Sequence, residues 1–307
     1  MTNVLTMPAS GADATTGVRR RGFFFPSKLF RRGGVLCATQ LVAHGVLLAA
    51  AFAVLFPFYW MVATSFKAPD EVFTGSFHWL PETFVGMTNY VAALEKADLA
   101  LFALNGLVVC LGVLLVQCAV ALPAGWALAR YDFRGKRALF VVVLLGLAVP
   151  IQAPAIPLFL GLAEFDLLDT FFALMFPFFL SVFAIFLFRQ AFMSFPEEIV
   201  LAARTDGVSE AGILWRMAVP SIRPQIAAFA VFSFVAHWND LYWPLIVVTT
   251  PEMVTPPLGL AQFADPETGT NFGALMAAAT LMVLPVTIFF AILQKDFMEG
   301  MTHAGVK

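Results

Sequence analysis

The stretch "FPEEIVLAARTDGVSEAGILWRMAVPSIRP", Phe195 to Pro224, decides how this chain is organised. It sets Glu197, Glu198, Arg204, Asp206, Glu210, Arg216 and Arg223 in the middle of a sequence that is otherwise overwhelmingly apolar. Its local chemistry predicts two short helices at an elbow. Ser194 stands three residues before Glu197, a capping-box pattern, with Pro196 in the first turn. Asp206-Gly207 signals a turn in which glycine is free to take positive φ. Ser209 then caps a second helix whose Ala211, Leu214, Trp215 and Ala218 recur at i, i+3, i+4 and i+7, giving one apolar face. Pro220 and Pro224 close that helix before the next apolar run. Such a face must be buried against the chain's own helix ends, the lipid interface or a second protein.

The surroundings of the elbow belong to a membrane. Hydrophobic residues make up 60% of the 307 and charged residues 12%, and the mean hydropathy is +0.85. That balance excludes an ordinary soluble domain. Six apolar stretches are long enough to cross a hydrocarbon core as helices: Val35–Ala63, Phe102–Ala129, Ala138–Leu160, Thr170–Phe188, Gln225–Val248 and Phe272–Leu293. The predicted class is therefore all-α, a polytopic membrane protein with six transmembrane helices.

Lys and Arg stay on the cytoplasmic side during insertion, so they set the orientation. With the N-terminus inside, the inner segments hold 16 of the 18 basic residues, and only Lys67 and Lys96 fall outside. The expectation is N-in and C-in, with the elbow in the cytoplasm. Residues 1–34 read as a flexible basic tail at the membrane lipid surface, 35–295 as the six-span domain with its loop at 194–224, and 296–307 as a cytoplasmic tail. The small net charge of -2 hides this asymmetry across the membrane. Cys37, Cys110 and Cys118 lack metal or redox spacing.

Several residues carry a family resemblance. "LAARTDGVSEAGILWRMAVPSIRP" resembles the EAA loop of binding-protein-dependent ABC importer permeases, matching at Ala202, Ala203, Asp206, Gly207, Ser209 and Pro220. Leu201 stands where that pattern has Glu, and Met217-Ala218-Val219 replaces its Ile-x-Leu run. "FPFYWMVATSFKAPDEVF", "LARYDFRGKRALF", "WNDLYWPLIV" and "FGALMAAATLMVLPV" are similar to the carbohydrate-uptake branch, the maltose and glycerol-3-phosphate importer permeases.

The resemblance implies a cell-membrane permease subunit that moves a mono- or oligosaccharide. It implies as partners a second, non-identical permease subunit, two cytoplasmic ATPase subunits and an extracytoplasmic sugar-binding protein. Glu198, Ala202, Ala203, Asp206, Gly207, Ser209 and Pro220 then form the ATPase-coupling loop.

The chain has no G-x-x-x-x-G-K-[ST], so it needs no cofactor of its own, ATP being hydrolysed by the partner subunits. It shows no catalytic constellation, no metal motif and nothing that calls for nucleic acid. The alternative is a proton- or sodium-coupled secondary transporter using Asp240 and His237.

Inside the spans, Pro150, Gln152, Pro154 and Pro157 should kink the third, where freed backbone groups need protein or a water-filled cavity. Gln40, His44, Asn105 and Gln117 are expected to bond between helices. Continuing one helical wheel through the fifth span puts Asn239, Asp240 and Trp243 on a shared face, the candidate substrate pathway, with Trp238, Tyr242 and Leu245 opposite. No Lys or Arg lies in the core of any span, which favours a neutral sugar over a phosphorylated one.

Overall fold

The computed structural model describes residues 38–72, 78–150, 152–263 and 270–305. The basic tail 1–34, the start of the first predicted span, parts of both outer loops and residues 306–307 lie outside the described residues. Helices carry the fold, as an apolar solvent requires of spanning segments, because they satisfy their backbone groups internally.

The chain divides into two units, Met1–Leu55 and Phe56–Lys307. The first contributes the opening of α1 (Ala38–Thr64), where the His44 ring nitrogen Nδ1 lies 2.6 Å from the Gln40 carbonyl one turn back. The His44 ring thus bonds a backbone carbonyl of its own helix.

The second unit begins with the end of α1 and a tightly bonded polar cap. Glu71 accepts the backbone N–H of Glu82 at 2.8 Å and of Thr83 at 3.2 Å. Burial raises the Glu71 pKa, but these two donors and the Lys67 charge outweigh it and leave the carboxyl below its ordinary value. Lys67 donates to the His78 carbonyl at 3.0 Å and sits 4.4 Å over the Trp60 ring. Asn89, in α2 (Thr88–Lys96), donates to the carbonyls of Ser65 and Lys67 and ties the cap to the helix.

At the centre runs α3 (Leu99–Arg130). It packs against α7 (Val182–Met193) and α11 (Arg223–Trp238), and α11 packs in turn on α14 (Phe272–Gly305). Asn105 of α3 donates to the carbonyls of Glu252 at 2.8 Å and Val254 at 3.0 Å, which fixes the loop ahead of the short helix α13 (Pro256–Ala261) on the bundle.

Among the described residues, three helices are long and apolar enough to span: Gln40–Thr64, Leu99–Arg130 and Phe272–Met298. The fourth predicted span is a bent pair, Phe171–Phe178 with Val182–Met193 at 49°. It contains α6 (Phe171–Met175), a 3-10 turn (Phe176–Phe178) and α7. The third is two shorter helices, α4 (Lys136–Gly146) and α5 (Ala155–Glu164), parted where Pro150 and Pro154 deny the helix its backbone donors. The fifth breaks at residues 239–241, between α11 and α12 (Tyr242–Val247).

Candidate functional site

The elbow begins with α8 (Glu197–Thr205). Its cap differs from the expected one: Pro196 occupies the N-cap in an extended conformation, while Ser194 Oγ donates back to the Ala191 carbonyl at the end of α7. The two helices are too close for Ser194 to serve both. Asp206 ends α8, and Gly207 follows at φ +76°. The Val208 N–H reaches the Ala203 carbonyl at 2.9 Å and the Gly207 N–H reaches Arg204 at 3.0 Å. This is a Schellman turn, whose left-handed residue is normally glycine. Ser209 Oγ then accepts the Gly212 N–H at 3.2 Å and caps α9 (Glu210–Ile213), as predicted.

A π turn, Leu214–Ala218, carries α9 into α10 (Val219–Ser221). Pro220 therefore sits within a continuing helix, and the chain turns at Ile222, with a 77° bend into α11. The predicted apolar face divides in two. Leu214 and Ala218 turn inward with Ile213, Val200, Ala203 and Ile222, packing on Trp126, Phe188 and Phe192 from α3 and α7. Ala211 and Trp215 turn outward, and Trp215 is 47% exposed. They border a surface hollow of about 580 Å³ with Gly207, Ser209 and Arg216. Glu198, Ala202, Asp206 and Pro220 are exposed too, as is Leu201 at 53%.

Polar contacts lock the elbow to the bundle. Arg204 pairs with Glu210 across the turn through Nε to Oε1 at 2.7 Å and Nη2 to Oε2 at 3.3 Å. Tyr131, just past α3, donates to Glu210 Oε2 at 2.7 Å. Arg204 and then Tyr131 hold the Glu210 carboxyl below its ordinary range. Arg130 reaches from α3 to the carbonyls of Phe192 and Phe195, bracing the entry to α8. Arg130 and Tyr131 lie in the "LARYDFRGKRALF" stretch, whose contacts with the elbow no local pattern foretells.

The second region is a cavity of about 690 Å³ between the bent α6–α7 pair and α11. Asn239 and Asp240 line it together with Gln117, Ser233 and His237, under walls of Phe178, Phe183, Phe229 and Phe232. Trp243 does not join them there. It is only 3% exposed, and its indole N–H donates to the Ala173 carbonyl at 2.8 Å. The helical wheel fails because α11 ends at Trp238 and α12 starts anew at Tyr242. Trp238 is buried and bonded to the Met282 carbonyl, whereas Tyr242 and Leu245 are exposed.

Residues 121–301, more than half of the chain, match the family described as binding-protein-dependent transport system inner membrane component. The chain belongs to this family. It is accordingly a multi-pass protein of the cytoplasmic membrane and a transport permease subunit, which decides against the ion-coupled carrier. An arabinooligosaccharides transport system permease protein, AraQ of Halalkalibacterium halodurans, is 31% identical over 84% of this chain and 92% of the relative. The lactose transport system permease protein LacG of Rhizobium radiobacter is 32% identical over 85% and 94%. The sn-glycerol-3-phosphate transport system permease protein UgpE of Pectobacterium atrosepticum is 29% identical over 86% and 96%. A chain from a crystal structure of a bacterial ABC transporter involved in the import of the acidic polysaccharide alginate superposes with a TM-score of 0.74. It is 21% identical and covers 90% of this chain and 99% of that one, so the two share a fold.

Proposed function

We propose that this chain is one of two non-identical membrane subunits of an ATP-driven carbohydrate importer, with six spans and both termini in the cytoplasm. Two ATPase subunits engage it from below, and a sugar-binding protein delivers the substrate from outside. The relatives named for arabinooligosaccharides and lactose support a sugar as cargo.

The observation that carries the reading is the two-sidedness of the elbow. Its inner side is seated in the bundle by Val200, Ala203, Ile213 and Leu214, while Leu201, Ala211 and Trp215 face away. An exposed indole and leucine on a rigidly seated loop suit a protein partner, because a tryptophan anchor contributes heavily to an interface. The seating also allows a push on the elbow to reach α3 and α7 through packed side chains. Glu198, Ala202, Asp206, Gly207 and Ser209 supply the outer surface and the turn that presents it, and Ala203 belongs to the seat.

Purification from native membranes in mild detergents, with mass spectrometry of the accompanying chains, tests this assembly. ATPase subunits and a second permease subunit should co-purify. Their absence in every detergent would refute the proposal.

A further inference from the structure

We propose that the 690 Å³ cavity is a binding site, within this subunit, for a neutral hydroxyl-bearing sugar; the proposal rests on the transport reading above. Its volume falls in the range of small-molecule sites, about 300–1,000 Å³. Its place in the fold is the first argument. One wall is the break at residues 179–181 between the 3-10 turn and α7, and the other is the break after α11. Interrupted helix at membrane depth persists only where it is buried in protein or lines a wet cavity, and such interruptions form the binding sites of transporters.

The second argument comes from counting which polar groups are already committed. Gln117 donates to the Phe178 carbonyl at 2.8 Å and accepts from Ser233 Oγ at 2.7 Å. Those two bonds fix the orientation of its amide, whose remaining proton points to His237 Nε2 at 3.4 Å. The Gln117 N–H can only donate, so Nε2 is the acceptor in that contact, while His237 Nδ1 is buried without a hydrogen-bond partner among the described residues. Gln117 is thus a positioning residue that holds the broken end of the fourth span against α11, with one lone pair of its amide oxygen left over.

Asn239 and Asp240 do have capacity. Asn239 Nδ2 donates to the Val235 carbonyl at 2.8 Å, which leaves its amide oxygen and one N–H proton. Asp240 accepts the Trp243 N–H at 3.3 Å, and a carboxylate has further lone pairs to offer. The cavity therefore offers several acceptors and an amide N–H beside aromatic faces, with neither Lys nor Arg in its lining. A neutral sugar complements it, bringing hydroxyl donors for Asn239 and Asp240 and an apolar ring face for Phe183 or Phe232. A uronate or sugar phosphate would meet the Asp240 carboxylate with no cation to pair with.

The test uses the complete importer in cells, with its own binding protein and ATPase. Uptake of labelled maltose, lactose, cellobiose, arabinobiose and diacetylchitobiose is compared with that of digalacturonate, an alginate disaccharide and glycerol 3-phosphate. Asp240→Asn retains an oxygen acceptor for the Trp243 N–H, and Phe232→Ala trims a side chain that is already half exposed, so both variants should assemble. Co-purification of the ATPase checks that they do. The expected result is uptake of neutral sugars alone, with the half-saturating concentration or uptake rate worsened roughly tenfold by Asp240→Asn, the scale of one lost charged hydrogen bond, and worsened by Phe232→Ala through the lost ring contact. Neutral uptake indifferent to both assembled variants would overturn the cavity as the site. Uptake of an acidic sugar would overturn its specificity. Uptake of no carbohydrate at all by the assembled importer would refute the transport reading, and this proposal with it.

Discussion

Replacing Gly207 by valine tests the elbow through backbone conformation alone. The residue lies at φ +76°, and a Cβ added there meets nothing within 4 Å, so the penalty contains no clash. Holding an L-residue in the left-handed region costs roughly 1–2 kcal/mol, with β-branched residues faring worst. That lowers the equilibrium constant for the turned loop about 5- to 30-fold. A partner that binds only the turned loop would lose apparent affinity by up to the same factor. The Arg204–Glu210 pair and the inward packing of Ile213 and Leu214 oppose the opening and set the lower end of that range. The assay titrates purified ATPase onto the reconstituted permease pair and reads the concentration that half-saturates stimulated ATP hydrolysis. Gly207→Asn should fall between wild type and Gly207→Val, because asparagine tolerates positive φ. If asparagine and valine are equally harmful, or if valine is harmless, the reasoning from the turn is wrong.

Further outcomes follow from single contacts. Gln117→Leu strands the Phe178 carbonyl and the Ser233 hydroxyl, so it should destabilise the detergent-solubilised protein by about 1–3 kcal/mol, measured as a lowered thermal midpoint. Gly259→Ala places a methyl group 2.2 Å from Phe102 Cδ2, and overpacking of this kind should cost about 1–3 kcal/mol in the same measurement. The Glu210 carboxyl is depressed in the folded state. Its stabilisation is therefore complete above the unfolded value near 4.5 and is lost as pH falls through the lower folded value. Protection of the Thr205–Gly212 amides, relative to their intrinsic exchange rates at each pH, should thus be steady near neutral pH and fall only in acid, whereas Glu210→Gln should lower it at neutral pH. Leu201→Glu should leave the thermal midpoint of the isolated permease unchanged, since the side chain is mostly exposed.

The parts of the fold legible in the sequence were those decided over a few residues. Asp206-Gly207 and Ser209 announce their turn and cap because glycine and serine act on their own backbone neighbours. The Ser194 cap failed for a reason also local but competitive, since the preceding helix end claimed the hydroxyl first. Periodicity proved weaker where a helix broke inside an apolar run. Asn239 to Trp243 read as one continuous turn, although Asn239 and Asp240 are weak helix formers and sit at the interruption that sends Trp243 into the core against Ala173. Leu214 and Trp215 stand about 100° apart on a helix, at the two edges of the predicted face, and packing buried the first and left the second exposed. The roles of Gln117 and Tyr131 depend on partners far away in the chain, Ser233 and Glu210, and no window of sequence contains both ends.

The central claim is that transport through this subunit is driven by ATP hydrolysis transmitted through the elbow. The most direct measurement is sugar uptake into proteoliposomes containing both permease subunits and the ATPase, with binding protein and substrate outside and ATP sealed within. Uptake should require internal ATP, should persist after proton and sodium gradients are collapsed, and should fall sharply with Gly207→Val while the complex remains assembled. Uptake driven by an ion gradient in the absence of ATP would contradict the account.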